Sequence, residues 1–409
     1  MNFYILLTSL LLFFMSFPMM TYCQSGTDVS ALLTHLFTTE GYNKKVRPLK
    51  DQTTAIEIRV DYFLNSVIDF SEQEENLKIS GFLSCTWVDE YLKWDNASFS
   101  NIHELFIPQD DIWKPDISLR NTFKSFTGLG ASYLNVFVTS NGVVEWNPYQ
   151  VLESTCSVDI TFFPFDTQIC ELKFTAWSYT QSHVDLDVGS KGVQLEEYVE
   201  NSEWELVQTS ARETNTDEAA VFFTLKLKRR PNFYVLNIIV PVIFLSLLDI
   251  FVFILPVSSG ERASYAITVF LSMAVFLTII AAALPQNSVT TSLLSVYLML
   301  MISLSTFIVI LSIAELRLAT RDVNIQPIGK GFMFFIKCSN VITCKVCRKS
   351  VAPTRQLSSK VKKRNLPDGS VTWPDIVEAI DIVFFWITMI YTLLTTLIIG
   401  VVAVNGGDT

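Results

Sequence analysis

Residues 260–285 read GERASYAITVFLSMAVFLTIIAAALP, a run long enough to cross a bilayer as a helix, for which about 20 apolar residues suffice. Within it, Ser264, Thr268, Leu271, Val275, Thr278 and Ala282 recur at steps of 4, 3, 4, 3 and 4. At about 100° per residue these six share one narrow face, while Ala266, Phe270, Met273, Leu277 and Ile280 lie opposite. A small, partly hydroxylated stripe backed by a greasy face fits a helix that lines water. It equally fits a membrane helix whose Ser and Thr bond their own backbone carbonyls, so the stripe alone decides nothing. Its ends are polar, with Glu261-Arg262 at one mouth and Pro285-Gln286-Asn287 at the other.

Outward from this stretch the chain divides by hydropathy and charge. Half of its 409 residues are hydrophobic and 17% are charged, so polar and apolar parts must be segregated. Residues 1–23 carry a short terminal apolar run that reads as a signal peptide. Residues 24–230 contain no run of spanning length and hold 17 Lys and Arg against 31 Asp and Glu, so they form an exported, acidic domain. Spans are expected over 231–255, which is interrupted by Pro241 and carries Asp249, and then over 260–284 and 289–313; a fourth occupies 375–404 before a short tail, 405–409. Residues 314–374 form the remaining polar loop, and from Leu316 to Pro374 there are 12 basic residues against 2 acidic. Basic short loops stay in the cytoplasm, which puts Glu261 at the inner mouth and both termini outside. A multi-pass protein of the cell membrane, in contact with its lipid, follows; a postsynaptic membrane is one candidate location.

The exported part alternates with period two in Ala55–Phe63, Leu77–Phe82 and Phe223–Leu227, between turn-forming Asn, Gly, Asp and Pro. An immunoglobulin-like antiparallel β-sandwich of about ten strands is predicted, preceded by a helix over Asp28–Phe37 capped by Asp28 or Ser30. Cys156 and Cys170 lie where oxidation is possible, and Cys85 falls in a strand-like run as a buried thiol. Cys338, Cys344 and Cys347 sit in the basic loop without the fourth ligand a zinc site needs, so neither metal nor cofactor is expected. Asn96-Ala97-Ser98 is a glycosylation sequon. Three histidines, no nucleophile elbow and no phosphate loop leave an enzyme unsupported, and nothing points to nucleic acid.

Cys156-Ser-Val-Asp-Ile-Thr-Phe-Phe-Pro-Phe-Asp-Thr-Gln-Ile-Cys170 encloses thirteen residues with the tip Phe163-Pro164-Phe165-Asp166. A disulfide across it could be a plain staple. The spacing and tip nevertheless closely resemble the signature loop of the Cys-loop receptors, the pentameric ligand-gated ion channels. Trp113-Lys-Pro-Asp116, Gly41-Tyr-Asn-Lys-Lys-Val-Arg-Pro48, Arg229-Arg-Pro231 and Gly260-Glu-Arg262 match further family segments, as does the order of four spans. The resemblance is to the cation-selective branch of nicotinic acetylcholine and serotonin type 3 receptors.

That resemblance implies four further subunits, identical or not, around a central pore, and a small-molecule agonist at extracellular subunit interfaces. Family sites enclose a cationic amine in aromatic rings. Trp177 and Tyr179 fall at such positions, and Phe82 at the aromatic position of the complementary face. Arg120, however, stands where acetylcholine receptors usually have Tyr, and Glu218 stands roughly where another tyrosine would be. A small amine, an acidic or zwitterionic ligand exploiting Arg120, and an orphan or accessory subunit therefore remain open. Coupling to the pore would run through Glu72, the tip Phe163–Asp166, Arg229 and the linker that starts at Pro285. Five copies of Glu261 would form an acidic ring that favours monovalent cations, with Ser264 and Thr268 as a polar throat and Leu271 and Val275 as a gate that closes by dewetting.

Overall fold

The computed structural model describes residues 24–214, 218–283, 290–323, 326–329, 331–343 and 371–407. The exported part starts with helix α1 (Gly26–Thr34), whose cap differs from expectation. Ser25 is the N-cap: its hydroxyl accepts from the Asp28 backbone at 3.2 Å, and the Asp28 carboxylate accepts from the Ser25 backbone at 3.0 Å. This reciprocal capping box makes Asp28 the third helical residue rather than the cap and leaves Ser30 inside the helix.

Eleven strands follow among the described residues, forming the expected β-sandwich. They are β1 (Ile56–Ser71), β2 (Asn76–Val88), β3 (Glu104–Pro108), β4 (Ile117–Leu119), β5 (Asn135–Thr139), β6 (Val143–Trp146), β7 (Tyr149–Thr155), β8 (Thr167–Ala176), β9 (Val184–Gln194), β10 (Trp204–Glu213) and β11 (Ala220–Arg229). One sheet runs β3-β5-β6-β2-β1-β9 with β7 also on β2, and the other runs β10-β11-β8-β4. The sandwich is not wholly antiparallel, because β9 pairs with β1 in parallel, Ile56 facing Val184. The chain leaves β8 in one sheet and crosses to the other before β9, so no hairpin reverses its direction.

Alternation decides which side chains meet. Ile56, Ile58, Val60, Tyr62 and Leu64 of β1 and Val221, Phe223, Leu225 and Leu227 of β11 are buried. Tyr62 lies 5.7 Å from Phe223 and 6.2 Å from Phe174, ring to ring, and thereby joins the two sheets. Each such large apolar side chain contributes about 1.5–3 kcal/mol on burial. Cys85 is a buried free thiol in β2.

Below the sandwich, four helices are long and apolar enough to cross a membrane. They are α2 (Asn232–Ile254), α3 (Arg262–Ala283), α4 (Leu293–Ala319) and, after the shorter α5 (Phe332–Ile342), α6 (Trp373–Gly407). The helix at Pro241 does not break. It widens to a π-turn over Val235–Ile239, one residue before the proline's own turn, a usual accommodation for a missing N–H. The third span continues six residues past 313, to Ala319, and the fourth runs through 405–407, which were expected as tail. Gly260 precedes α3 at φ +76°, a left-handed conformation that favours glycine.

The Gly41–Pro48 segment anchors α1 to the sandwich. The Tyr42 hydroxyl donates to Asp89 Oδ2 at 2.7 Å and accepts from the Trp113 backbone at 3.0 Å, while the Arg47 guanidinium donates to the His183 carbonyl at 2.7 Å. Asp89 is fully buried, and burial pushes its carboxyl up to about 6 against the opposing pull of the Tyr42 and backbone bonds. The folded value lies above the unfolded one, so this group's stabilisation is complete below about pH 4 and is lost as pH rises through 6. The difference is worth ~3 kcal/mol. Melting of the detergent-solubilised chain at pH 4 and pH 7 should show a smaller pH-dependent loss for Asp89→Asn than for the parent.

Candidate functional site

At the junction of sandwich and helices, β11 ends on Arg229, whose side chain is only 1% exposed. Its Nε donates to Asp166 Oδ1 at 2.7 Å and its Nη2 to Asp166 Oδ2 at 3.1 Å, a fork-to-fork pair, and its Nη1 pairs with Glu72. The guanidinium carbon lies 4.3 Å from the Trp204 ring, 4.9 Å from Phe163 and 5.3 Å from Tyr234. Burial works against the charged guanidinium, but the Asp166 bond and Glu72 outweigh it and hold Arg229 firmly protonated. One cation thus ties the β1–β2 turn, the Cys156–Cys170 loop and the entry to α2. The two cysteines are disulfide-bonded.

The same loop reaches the helices. The Leu293 amide at the start of α4 donates to the Thr161 carbonyl at 2.9 Å, and the Thr167 hydroxyl donates to the Gly407 carbonyl at the end of α6 at 3.0 Å. A Cβ at Gly406 would collide with the Phe162 ring and one at Gly407 with the Phe165 carbonyl, so glycine is what lets α6 close on the loop. Pro164 and Phe165, with Phe163, Val235, Tyr297 and Ala403, line an apolar cavity of about 310 Å³. Gln73, next to Glu72, donates to the Ala282 carbonyl near the end of α3 at 2.8 Å. Residue-level reading missed that contact, because a lone Gln in a turn carries no periodic signal. Pro285 lies outside the described residues.

Just before α3, Glu261 is exposed in the single chain, as are Ser264, Thr268, Leu271, Val275, Thr278 and Ala282 along it, while Ala266, Met273 and Ile280 are buried. Leu271 is 61% exposed. The Thr268 and Thr278 hydroxyls bond their own helix, to the carbonyls of Ser264 at 2.8 Å and Val275 at 2.7 Å. Arg262 is fully buried and turned away from that face. Its guanidinium pairs with Glu315 of α4 and with Asp381 of α6, donating to Asp381 Oδ2 at 2.9 Å. Asp249 is buried in α2 beside Ser305 of α4.

The predicted ligand residues fall on two sheets. Trp177 follows β8 and is half exposed; its amide donates to the Asp116 carbonyl at 3.3 Å, and the next amide donates to the Asp116 carboxylate at 2.7 Å. Arg120 lies with its guanidinium carbon 4.4 Å from the Trp177 ring, and its Nε is 4.0 Å from Glu218. Tyr179 is half-buried against the sandwich core. Phe82 lies in the other sheet, stacked on Phe63 at 4.6 Å. Two partners were missed: Lys173, whose Nζ is 2.8 Å from Glu218, and Phe126, whose ring is 4.4 Å from Trp177. Lys173 shares one face of β8 with Glu171, two residues before it, and could have been found by that period; Phe126 sits in an irregular loop and could not. Asn96 is half-buried, its side-chain amide 2.7 Å from His103. Among the described residues no group of three metal-ligating side chains occurs, Cys338 is a free half-buried thiol, and Cys344 and Cys347 lie outside them.

Two family models cover most of the chain: the neurotransmitter-gated ion-channel ligand binding domain matches residues 29–231 and the corresponding transmembrane region matches 238–330. The chain belongs to the neurotransmitter-gated ion-channel family. The members it resembles include acetylcholine receptor subunit delta of Xenopus laevis, 31% identical over 75% of this chain and 63% of that protein. Human neuronal acetylcholine receptor subunit beta-3 is 32% identical over 69% and 62%, and the mouse alpha-6 subunit is 32% identical over 68% and 58%. The chain spans just under two thirds of the length of these relatives.

The junction gives a graded prediction. Asp166→Asn leaves a buried guanidinium half-paired and should cost about 3–5 kcal/mol, whereas Glu72→Gln, at the wetter edge, should cost about 1 kcal/mol or less. Melting of the purified chain, read beside surface expression, checks the ranking.

Proposed function

We propose that this chain is a subunit of a ligand-gated cation channel in the cell membrane, with both termini outside. Five subunits surround a pore lined by α3, and an agonist held between extracellular domains opens it. The carrying observation is the opposed placement of Glu261 and Arg262. The acid stands on the exposed stripe with Ser264, Thr268, Leu271, Val275 and Thr278, while the neighbouring cation is buried against Glu315 and Asp381. A ring of five Glu261 side chains would then act on permeant ions without a counter-ring of arginines, which favours monovalent cations. The relatives are by name acetylcholine receptor subunits, in keeping with a small-molecule agonist and with partner subunits.

Coupling is assigned to the Arg229 junction. Ligand closure shifts the sandwich, and the contacts of Glu72, Gln73, Phe163 and Asp166 bias the tilt of α3 as a population shift between closed and open.

Whole-cell recording tests the proposal with amines, amino acids and pH steps as stimuli. Leu271→Thr should make the apolar constriction easier to wet, giving a standing current and slower shut-off; an unchanged gate in a conducting channel would overturn the stripe assignment. Glu261→Gln should shift the reversal potential in a sodium chloride gradient towards the chloride value, by loss of the acidic ring.

A further inference from the structure

Trp177 offers the kind of surface that attracts a cation, a half-exposed indole with a second ring, Phe126, against it. That surface already has a cation on it. The Arg120 guanidinium lies 4.4 Å from the indole, within the range of cation–π attraction, and three features fix it there. Its backbone is tied to β8, where the Arg120 amide donates to the Lys173 carbonyl at 2.7 Å. Its side chain meets the Glu218 carboxylate at 4.0 Å. Glu218 is itself pinned by Lys173 at 2.8 Å. Further along the same sheet, Arg212 lies over the Phe222 ring at 3.7 Å and pairs with Glu171 at 3.1 Å, so a second aromatic face is also covered by an arginine.

Charge reinforces the geometry. Arg120, Lys173 and Arg212 face the two carboxylates Glu171 and Glu218, each of which is already engaged. An arriving ammonium therefore meets no free carboxylate in this group, and over the indole face that Arg120 covers it would approach a guanidinium at short range. We infer that Arg120 is a built-in cation that occupies the Trp177 indole and closes this face of the subunit to small ammonium ligands, with Glu218 and Lys173 holding it in place. Arg120 is thus the residue that sets ligand class at the Trp177 face. In an assembly that answers to an ammonium agonist, the receptive tryptophan face belongs to a different subunit. The inference rests on the reading of Trp177 as part of a ligand site.

Removing the guanidinium should uncover the indole. Full-length protein in lipid nanodiscs is titrated with radiolabelled acetylcholine as the probe, comparing the parent, Arg120→Ala, Arg120→Gln and Arg120→Ala/Trp177→Ala, with surface expression as the folding control. The Arg120 side chain is nearly half exposed, and two replacements guard against one that fails to fold. The expected result is a gain of about ten- to a hundred-fold in affinity for both single variants, erased by Trp177→Ala. Parent affinity within threefold of both single variants would overturn the inference, as would failure of either to bind. A gain that survives Trp177→Ala would overturn instead the placement of the ligand site. Standing current through Leu271→Thr channels, recorded without any ligand, reports on the channel reading separately.

Discussion

A single buried guanidinium holds the two halves of this protein in register. Arg229 is the last residue of β11, three residues before α2 begins, so the peptide that leaves the sandwich for the membrane passes through it. Burying that charge is costly, and the fold offsets the cost with the Asp166 fork, Glu72 and three aromatic rings. The two carboxylates come from different segments, and each of those segments also touches a helix: the β1–β2 turn meets α3 through Gln73, and the disulfide-closed loop meets α4 and α6 through Thr161 and Thr167. The two segments that touch the helices are thus also the two whose carboxylates share the Arg229 charge.

Charge is handled similarly at the inner end. Glu261 and Arg262 are adjacent in sequence, yet the first, just before α3, is exposed and the second, where α3 begins, is buried against the bundle. Glu315 and Asp381 neutralise the arginine from two other helices, which both locks the base of α3 and leaves Glu261 as the charge facing outward. At the Trp177 face the sequence departs from an aromatic box, and the departures prove to be partners, with Arg120 on the ring and Glu218 on Arg120.

Much of this was legible because it depends on local spacing. The period of α3, the alternation of β1 and β11, the spacing of Cys156 and Cys170 and the hydropathy of four spans are properties of contiguous residues. What stayed hidden was set by the path of the chain. The parallel pairing of β9 with β1 follows from a crossover between sheets, and the partners of Arg262 lie 53 and 119 residues away. The Ser25 cap was missed because Asp28, a good cap in its own right, is instead the third residue of a capping box. Phe126 reaches Trp177 from an irregular loop, where neither period nor propensity constrains a side chain.

The most direct test is a double-mutant cycle on gating across the seam. Open probability of ligand-free channels carrying the Leu271→Thr background is measured for the parent, Glu72→Gln, Arg229→Lys and the pair. If the Arg229 junction transmits movement to α3, the two substitutions interact by about 1 kcal/mol or more in the opening equilibrium. Effects that add within about 0.5 kcal/mol, in channels that reach the surface and conduct, would contradict the account and leave the junction a static brace.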